Sequence, residues 1–285
     1  MRKTTRIIFM AGIIFSSISV ISCNNGDTSD EKQTTDNKIS QPYFKEEPVT
    51  YFADNVSLKG YVVYDENKQG KRPGVLVVHE WWGLGDYERK RAKQLAQMGY
   101  IAMAVDMYGD GKTADNPQKA MELVRSFSKD IQHSKTRLNA ALAKLKGYRQ
   151  TDTANIAAIG YCFGGGVVLN AAKLGADLVG VVSFHGNLSG VPPRKELLKA
   201  KVLVCHGQAD NFVSPQELMA FKKGMDSIGA DYSFKTYANA THAFTNPKST
   251  ETGKKFDMPI EYNAAADSAS WNDMKAFFGR IFTNL

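Results

Sequence analysis

Short apolar runs alternate along the chain with longer segments in which apolar and polar residues recur at helical spacing. The runs are rich in β-branched residues and have the length of buried strands. They predict strands over residues 49–52, 58–64, 74–78, 101–105, 156–159, 178–184, 202–205 and 232–237. The periodic segments predict helices over residues 86–98, 117–148 with a break near 130, 163–174, 214–228 and 263–282. This alternation predicts one α/β domain, over residues 48–285, whose mostly parallel central sheet carries helices on both faces.

The N-terminal segment does not share this pattern and indicates export. Met1–Arg6 is basic, and Ile7–Ile21 is an uncharged apolar stretch that is short for a membrane span but typical of a secretory signal. The stretch ends at Ser22-Cys23 and resembles a bacterial lipoprotein signal, in which the cysteine is acylated and becomes the first residue. We expect a signal peptide over 1–22, a lipidated Cys23 with a flexible tether over 23–47, and anchoring to the periplasmic or cell-surface face of a bacterial membrane. An ordinary signal peptide or an uncleaved anchor is the alternative.

Composition narrows the class of protein further. Hydrophobic residues make up 43% of the 285 residues and charged residues 23%, which excludes a disordered or fibrous chain. Three cysteines without a CxxC pair are too few for a disulfide scaffold or a cysteine-built zinc cage. The densest basic run of this chain, whose formal charge is +7, is Arg89–Arg91, which fits a solvated helix face better than a nucleic-acid site. We expect a small-molecule partner and no nucleic acid.

A glycine-rich motif marks the point where the strand over 156–159 ends and the next helix begins. Gly160-Tyr161-Cys162-Phe163-Gly164 has the G-x-nucleophile-x-G form of the sharp strand-to-helix turn in α/β-hydrolases. Glycines flank the nucleophile because its backbone is strained and the turn packs closely. The helix N-terminus would stabilise a thiolate on Cys162, and the Phe163 amide would face a developing oxyanion. The alternative is a buried structural cysteine in a glycine-rich turn.

Two further side chains follow the cysteine in the order acid, then histidine, as in the catalytic triads of this fold. Asp210 lies just beyond the strand over 202–205, and His242 lies just beyond the strand over 232–237. Open α/β sheets bind ligands at this edge, outside the carboxyl ends of the strands. His242 would take the thiol proton of Cys162 while Asp210 fixes the imidazole tautomer. The pattern predicts a Cys-His-Asp triad.

Five segments together resemble the dienelactone hydrolase family, and the resemblance spans residues 49–285. They are Val77-Val78-His79-Glu80-Trp81-Trp82-Gly83, Asp106-Met107-Tyr108, Gly160-Tyr161-Cys162-Phe163-Gly164-Gly165, His206-Gly207-Gln208-Ala209-Asp210 and His242-Ala243-Phe244. The resemblance implies the α/β-hydrolase fold, with Cys162, Asp210 and His242 as the triad.

The same resemblance gives roles to two residues that follow the strand over 74–78. Glu80 is similar to the family's glutamate, which pairs with the resting thiol and moves aside when substrate binds. Trp81 is similar to the donor of the second oxyanion amide, beside Phe163. A carboxylate near Cys162 would disfavour the thiolate and so protect the resting thiol from oxidation.

Two positions depart from the family's pattern. Well-known members carry one arginine two residues after the tyrosine of a strand end and another four residues after the histidine, and both bind the substrate carboxylate. Here these positions hold Asp110 and Asn246. An acid facing a carboxylate would repel it, so we expect neutral esters or lactones as substrates rather than the acidic dienelactone. Lys112 is a weaker candidate for a replacement cation.

The resulting prediction is an ester or lactone hydrolase with a cysteine nucleophile, in which water cleaves the thioester and neither a metal nor an organic cofactor is needed. A broader carboxylesterase or thioesterase is one alternative, and a non-catalytic surface lipoprotein that binds a ligand is another. Cys205 is expected to stay a buried free thiol rather than pair with Cys162. His79 and His206 are expected to have structural roles. The segment over 246–262 is long enough to cover the pocket.

Overall fold

Eight strands form one central sheet in the computed structural model, which describes residues 41–282. The strands are β1 (Phe44–Ala53), β2 (Val56–Asp65), β3 (Arg72–Val78), β4 (Ile101–Val105), β5 (Thr151–Tyr161), β6 (Gly180–Phe184), β7 (Lys201–Gly207) and β8 (Tyr232–Tyr237). Their order across the sheet is β1-β2-β4-β3-β5-β6-β7-β8. β2 pairs antiparallel with β1 and β4, and all other neighbours are parallel. The predicted fold class is confirmed.

Helices pack on both faces of this sheet. Over residues 41–282 they are α1 (Asp86–Gln97), α2 (Pro117–Lys129), α3 (Ile131–Lys146), α4 (Phe163–Lys173), α5 (Pro215–Ser227), α6 (Ser249–Phe256) and α7 (Ala264–Ile281). Side chains of β3 alternate between the faces, as the pleat of a strand requires. Leu76 and Val78 belong to one apolar cluster with α2 to α5, whereas Val75 and Val77 belong to another with α1 and α7. Burial on both faces explains why β3 is a continuous apolar run.

Local capping signals set the helix boundaries. The predicted break near residue 130 is confirmed, because Asp130 separates α2 from α3 and its carboxylate accepts the Gln132 amide at 2.9 Å. Helix α1 already includes Asp86 and is capped by Gly85. The Gly85 amide donates to the carboxyl of Glu88 at 2.9 Å, so a buried acid in the first turn takes over the capping role.

The domain begins earlier and contains one more helix than the sequence pattern suggested. Strand β1 starts at Phe44, so four residues placed in the tether pair in register with β2, from Phe44 opposite Asp65 to Glu47 opposite Val62. Helix α6 lies within the 246–262 segment, for which no regular structure was predicted. It ends at Asp257, whose positive φ of 51° turns the chain back toward the sheet.

The predicted signal peptide over 1–22, the lipidated Cys23 and the tether up to residue 40 lie outside the described residues. Within residues 41–282, none of the helices is both long and apolar enough to cross a bilayer. Export and lipid anchoring therefore stay predictions.

The carboxyl ends of the parallel strands carry the candidate side chains. Glu80 follows β3, Cys162 follows β5, Asp210 follows β7 and His242 follows β8. Because neighbouring parallel strands end at the same edge of the sheet, the fold brings these distant segments together.

Candidate active site

A single strained residue joins β5 to α4. Cys162 has a φ of 52° and a ψ of −114°, a conformation that residues with a Cβ rarely adopt. A Cβ on Gly160 would lie 2.1 Å from the Gly164 carbonyl oxygen, and a Cβ on Gly164 would lie 2.4 Å from the Val78 carbonyl oxygen. Close backbone packing therefore requires these two glycines. The turn leaves the Cys162 thiol free and partly exposed at the N-terminus of α4.

The predicted acid and base are in hydrogen-bonding contact. The Nδ1–H of His242 donates to the Asp210 carboxylate at 2.9 Å. Asp210 is held in turn by the Phe212 amide, which donates to its other oxygen at 2.9 Å. His242 and Cys162 line the same cavity. The structure thus brings together all three residues that the sequence predicted as a triad.

The charges around His242 favour its protonated form. Burial alone would lower its pKa, but the electrostatic interaction with the Cys162 side chain and the hydrogen bond to Asp210 outweigh burial and raise the pKa to about 10. An imidazolium beside the sulfur is one half of a Cys–His ion pair, which is the activated form of a cysteine nucleophile. The arrangement can therefore support attack by the sulfur atom.

Glu80 is a buried carboxyl beside this site, and its partner is not the thiol. Its Oε2 accepts a hydrogen bond of 2.6 Å from Asn246 Nδ2. Burial, assisted by the charge of Glu88, raises the pKa of Glu80 to about 7, although the Asn246 hydrogen bond and His242 act in the opposite direction. The sequence predicted that Glu80 pairs with the resting thiol of Cys162. The structure pairs it with Asn246 instead, because this amide stands where the family pattern has an arginine.

Two backbone amides are available at the predicted oxyanion positions. Phe163 is the first residue of α4, where helical amides lack a partner within the helix. Trp81 is held through its carbonyl oxygen, which accepts the Tyr108 hydroxyl at 2.8 Å. Within residues 41–282, neither the Trp81 nor the Phe163 amide donates to a protein acceptor. Both amides can therefore bind a developing oxyanion.

Two histidines and the second cysteine lie near the site in buried positions. The sequence suggested structural roles for the histidines and a free thiol for the cysteine. The Nε2 of His79 accepts the Met107 amide at 3.2 Å, and burial lowers the pKa of this imidazole to about 4. His206 is buried and packs on Phe234, with ring centroids 5.7 Å apart. Cys205 is buried and unpaired, and burial raises the pKa of its thiol to about 12. A thiol in this state is a poor nucleophile, and the predicted free Cys205 is confirmed.

One histidine beside the triad was not assigned a role from the sequence. His185 directly follows β6, is fully buried, and packs edge-on against His242 with ring centroids 5.4 Å apart. The feature of the sequence that could have identified it is its position directly after β6. This strand lies between β5, which leads to the cysteine, and β7, which leads to the aspartate.

A cavity of about 460 Å³ opens over Cys162 and His242. One apolar wall comes from α2 and the start of α3 and consists of Met121, Val124, Phe127 and Ile131. Another comes from the 246–262 segment and consists of Asn246, Ser249, Thr252, Met258 and Ile260. That segment is therefore a wall of the pocket. Among residues 41–282, no lysine or arginine lines the cavity, and the carboxyl group in its lining belongs to Glu80.

The sequence argument against an acidic substrate is wrong at one of its two positions. Asp110 does not line the cavity within the described residues, since its side chain is 56% exposed and lies 3.8 Å from Lys112. Lys112 is 57% exposed and does not reach into the cavity either. Asn246 does line it and is bonded to Glu80. The cavity disfavours a carboxylate for a different reason, because within the described residues no lysine or arginine lines it to pair with one.

Comparison with known proteins agrees with this geometry. Residues 58–282 match the sequence profile of the dienelactone hydrolase family. The chain belongs to the dienelactone hydrolase family. This family member is similar to the crystal structure of a dienelactone hydrolase-like promiscuous phosphotriesterase from metagenomic libraries. The two are 33% identical, with a TM-score of 0.79 over 84% of this chain and 98% of the other.

Two curated relatives of this dienelactone hydrolase family member extend over most of its domain. Protein usf of Aquifex pyrophilus is 29% identical over 240 residues, which is 82% of this chain and 98% of that protein. A protein of Aquifex aeolicus, provisionally named carboxymethylenebutenolidase, is 29% identical over 205 residues, which is 70% of this chain and 87% of that protein. The protein is an ester hydrolase of the α/β-hydrolase fold.

Proposed function

We propose that this dienelactone hydrolase family member cleaves neutral esters or lactones with Cys162 as its nucleophile. One observation carries the proposal: His242, which is hydrogen-bonded to Asp210 at 2.9 Å, lines the same cavity as the cysteine of a strained strand-to-helix turn. Such a turn is costly to maintain and serves to present a nucleophile to a cavity. A ligand-binding protein has no need of all three residues in this arrangement.

In the first half-reaction the Cys162 sulfur attacks the carbonyl carbon, and the thiol proton resides on His242. As the C–S bond forms, the carbonyl π electrons move to the oxygen, which the amides of Phe163 and Trp81 stabilise. Collapse of the tetrahedral intermediate breaks the C–O bond. The leaving alkoxide takes the proton from His242, and Asp210 keeps the imidazole in the required tautomer. A lactone opens and stays attached through its acyl group.

In the second half-reaction water attacks the thioester carbon while His242 removes its proton. The new tetrahedral intermediate expels the Cys162 sulfur, which takes its proton back from the imidazolium. The products are the carboxylic acid and the alcohol, or the hydroxy acid from a lactone. The steps require only groups of this chain and water.

Lining residues support the assignment of a neutral substrate. The wall from α2 and the start of α3 is apolar, and no lysine or arginine of the described residues faces the cavity. A substrate carboxylate would be desolvated there without a partner and would lie near the carboxyl of Glu80. An uncharged acyl group of moderate size has no such cost.

The test uses purified full-length protein under reducing conditions, its Cys162→Ala variant and a Cys205→Ala variant as a matched control. Substrates are p-nitrophenyl esters, a simple thioester, a neutral lactone and the same lactone carrying a carboxylate. We expect Cys162→Ala to abolish turnover and Cys205→Ala to retain it. We also expect kcat/KM for the neutral lactone to exceed that for the acidic one at least about tenfold, the equivalent of one charge-assisted hydrogen bond. Equal activity of Cys162→Ala and wild type would rule out the nucleophile, and preference for the acidic lactone would rule out the substrate class.

A second candidate activity is hydrolysis of neutral phosphotriesters. Two observations favour it: the 33% identity to a promiscuous phosphotriesterase over nearly that whole chain, and a cavity that no lysine or arginine of the described residues lines. The sulfur would attack phosphorus and break a P–O bond, and the leaving group would take the proton from His242 while the same amides stabilise the phosphoryl oxygen. Water, deprotonated by His242, would then cleave the P–S bond and release a phosphodiester and the free thiol. Turnover of paraoxon by wild type but not by Cys162→Ala would support this activity. A single burst of p-nitrophenol, equal to the enzyme concentration, would instead indicate that the triester inactivates the enzyme.

We further propose that the protein is exported and lipid-anchored through Cys23, with the catalytic domain beginning at β1. The support is the basic N-terminus, the apolar stretch Ile7–Ile21 and the cysteine that follows it. In a bacterial host, labelled palmitate should be incorporated into the wild-type protein and not into Cys23→Ala. Cys205→Ala serves as the labelling control. Incorporation into Cys23→Ala would contradict the proposal.

A further inference from the structure

A second imidazole lies buried directly behind the nucleophile. His185 has a positive φ of 41°, which is uncommon for a residue with a Cβ. Its Nδ1 accepts the backbone N–H of Cys162 at 3.1 Å, and the same amide donates to the Phe184 carbonyl at 3.0 Å. Its Nε2 lies 2.7 Å from the Thr245 hydroxyl. Both ring nitrogens are therefore engaged.

These contacts fix the tautomer of His185. Because the Cys162 amide can only donate, Nδ1 is unprotonated and Nε2 carries the proton that is donated to Thr245. Burial, with a smaller contribution from the charge of His242, holds the pKa of His185 well below its usual range, so the ring is neutral. Neither nitrogen is left to accept the thiol proton. His185 is thus not a rival general base.

Thr245 connects this imidazole to the loop that carries the base. It lies three residues after His242 and is fully buried. Its hydroxyl is also 2.7 Å from Tyr87 Oη, and its carbonyl oxygen accepts a 2.9 Å hydrogen bond from Arg91 Nη2. Tyr87 and Arg91 both belong to α1, so this helix anchors the loop after β8.

We propose that His185 is a positioning residue for the Cys162–His242 pair and acts through the Cys162 amide and the Thr245 hydroxyl. The proposal rests on the assignment of Cys162 as the nucleophile. The distance from sulfur to imidazole depends on how the turn after β5 sits against the loop after β8. His185 joins these two segments by hydrogen bonds of 3.1 and 2.7 Å. Losing this connection would misplace the thiol relative to its base without altering the substrate cavity, whose described lining does not include His185.

Thr245 provides the sharpest test because its hydroxyl can be removed with little change of shape. Thr245→Val removes the hydroxyl, whereas Thr245→Ser keeps it. In the full-length protein we expect Thr245→Val to lower kcat for a neutral p-nitrophenyl ester roughly 10- to 100-fold with little change in KM, and Thr245→Ser to stay near wild type.

Alkylation supplies a readout that does not depend on substrate. The pH midpoint for alkylation of Cys162 by iodoacetamide should rise in Thr245→Val and not in Thr245→Ser, because the sulfur loses part of its contact with the His242 imidazolium. Cys205 is buried, and peptide mapping confirms which cysteine carries the label.

His185→Asn tests the other end of the connection. Asparagine tolerates a positive φ, and its Oδ1 can accept the Cys162 amide, but its side chain is too short to reach Thr245. We expect this variant to reproduce the effects of Thr245→Val. The double variant should lose no more kcat than either single variant, because both changes break one connection.

Two results would overturn the proposal. One is a lower melting temperature with kcat and the alkylation midpoint unchanged, which is the signature of a purely structural residue. The other is a pair of single losses that multiply in the double variant, since the residues would then act independently. Failure of the nucleophile assignment gives a different pattern, because Cys162→Ala or fully alkylated wild type would then retain activity.

Discussion

Asn246 donates a 2.6 Å hydrogen bond to the buried carboxyl of Glu80, and this contact sets the charge at the centre of the cavity. An amide stabilises a carboxylate far less than an arginine does, because it brings a dipole instead of a full charge. Burial therefore dominates and the pKa of Glu80 rises to about 7. Near neutral pH the site thus holds Glu80 protonated in about half of the molecules, which keeps negative charge away from the sulfur of Cys162.

Stability should consequently depend on pH through Glu80. Its pKa is higher in the folded protein than in the unfolded chain, so the folded state binds the proton more tightly. This contribution is fully present below about pH 4.5 and is lost as the pH rises through about 7. Glu80→Gln cannot titrate and so does not lose this contribution. We therefore expect the free energy of unfolding of Glu80→Gln, relative to that of wild type, to increase by up to about 3 kcal/mol from acidic to alkaline pH. Urea denaturation at several pH values measures the difference.

Glu251→Gln is the matched control for this experiment, because Glu251 is an exposed acid on α6. Its difference from wild type should stay flat with pH. A Glu80→Gln difference that is equally flat would mean that Glu80 ionises in the folded protein as it does in the unfolded chain.

Much of the fold could be predicted because it depends on local pattern. Strands β4 and β8 have the predicted bounds, since β4 is a continuous apolar run and β8 is rich in aromatic residues, and turn signals flank both. Helix α6 could not be predicted, because its eight residues carry two threonines, a glycine and a single large apolar residue, Phe256. Its position depends on tertiary packing: a Cβ on Gly253 would lie 2.4 Å from the Ile260 carbonyl oxygen.

The candidate site also has features that local sequence predicts and features that depend on tertiary contacts. Cys162, Asp210 and His242 could be predicted because each directly follows a strand and the order along the chain is diagnostic. The partner of Glu80 could not, because Asn246 lies 166 residues away and the contact depends on the loop after β8. Asp110 was misplaced for the converse reason: a position in a motif does not say which way its side chain points.

The turn glycines give a prediction about stability. Gly160→Ala places a methyl group 2.1 Å from the Gly164 carbonyl oxygen, so the turn must deform. We expect a destabilisation of about 3 kcal/mol and loss of activity. Gly279→Ala is the control, because Gly279 is a helical residue of α7 with no atom within 4 Å of an added Cβ. It should stabilise the protein by about 0.5–1 kcal/mol. Equal melting temperatures for the two variants would contradict this account of the turn.

Asp210→Asn tests the assignment of the acid. The amide keeps the size of the side chain but no longer favours the Nδ1–H tautomer of His242 or its protonated form. We expect kcat to fall about 10³- to 10⁴-fold while KM changes little. Asp177→Asn, at a side chain that is 84% exposed, should leave kcat unchanged. A loss of less than tenfold in Asp210→Asn would show that another group orients the base.

Phe127 should set the size of the acyl group that the cavity accepts. It is 5% exposed, lines the apolar wall, and packs edge-on against Phe163 with ring centroids 5.5 Å apart. Phe127→Leu shortens this wall directly beside the nucleophile turn, so longer acyl chains gain room and apolar contact. Each additional buried methylene is worth about 0.8 kcal/mol, or roughly fourfold in kcat/KM. The ratio of kcat/KM for p-nitrophenyl hexanoate to that for the acetate should therefore rise severalfold. Phe52→Leu, at a side chain on β1 that is 69% exposed, should leave the ratio at its wild-type value. If Phe127→Leu also leaves this ratio unchanged, the acyl group packs against the wall formed by the 246–262 segment instead.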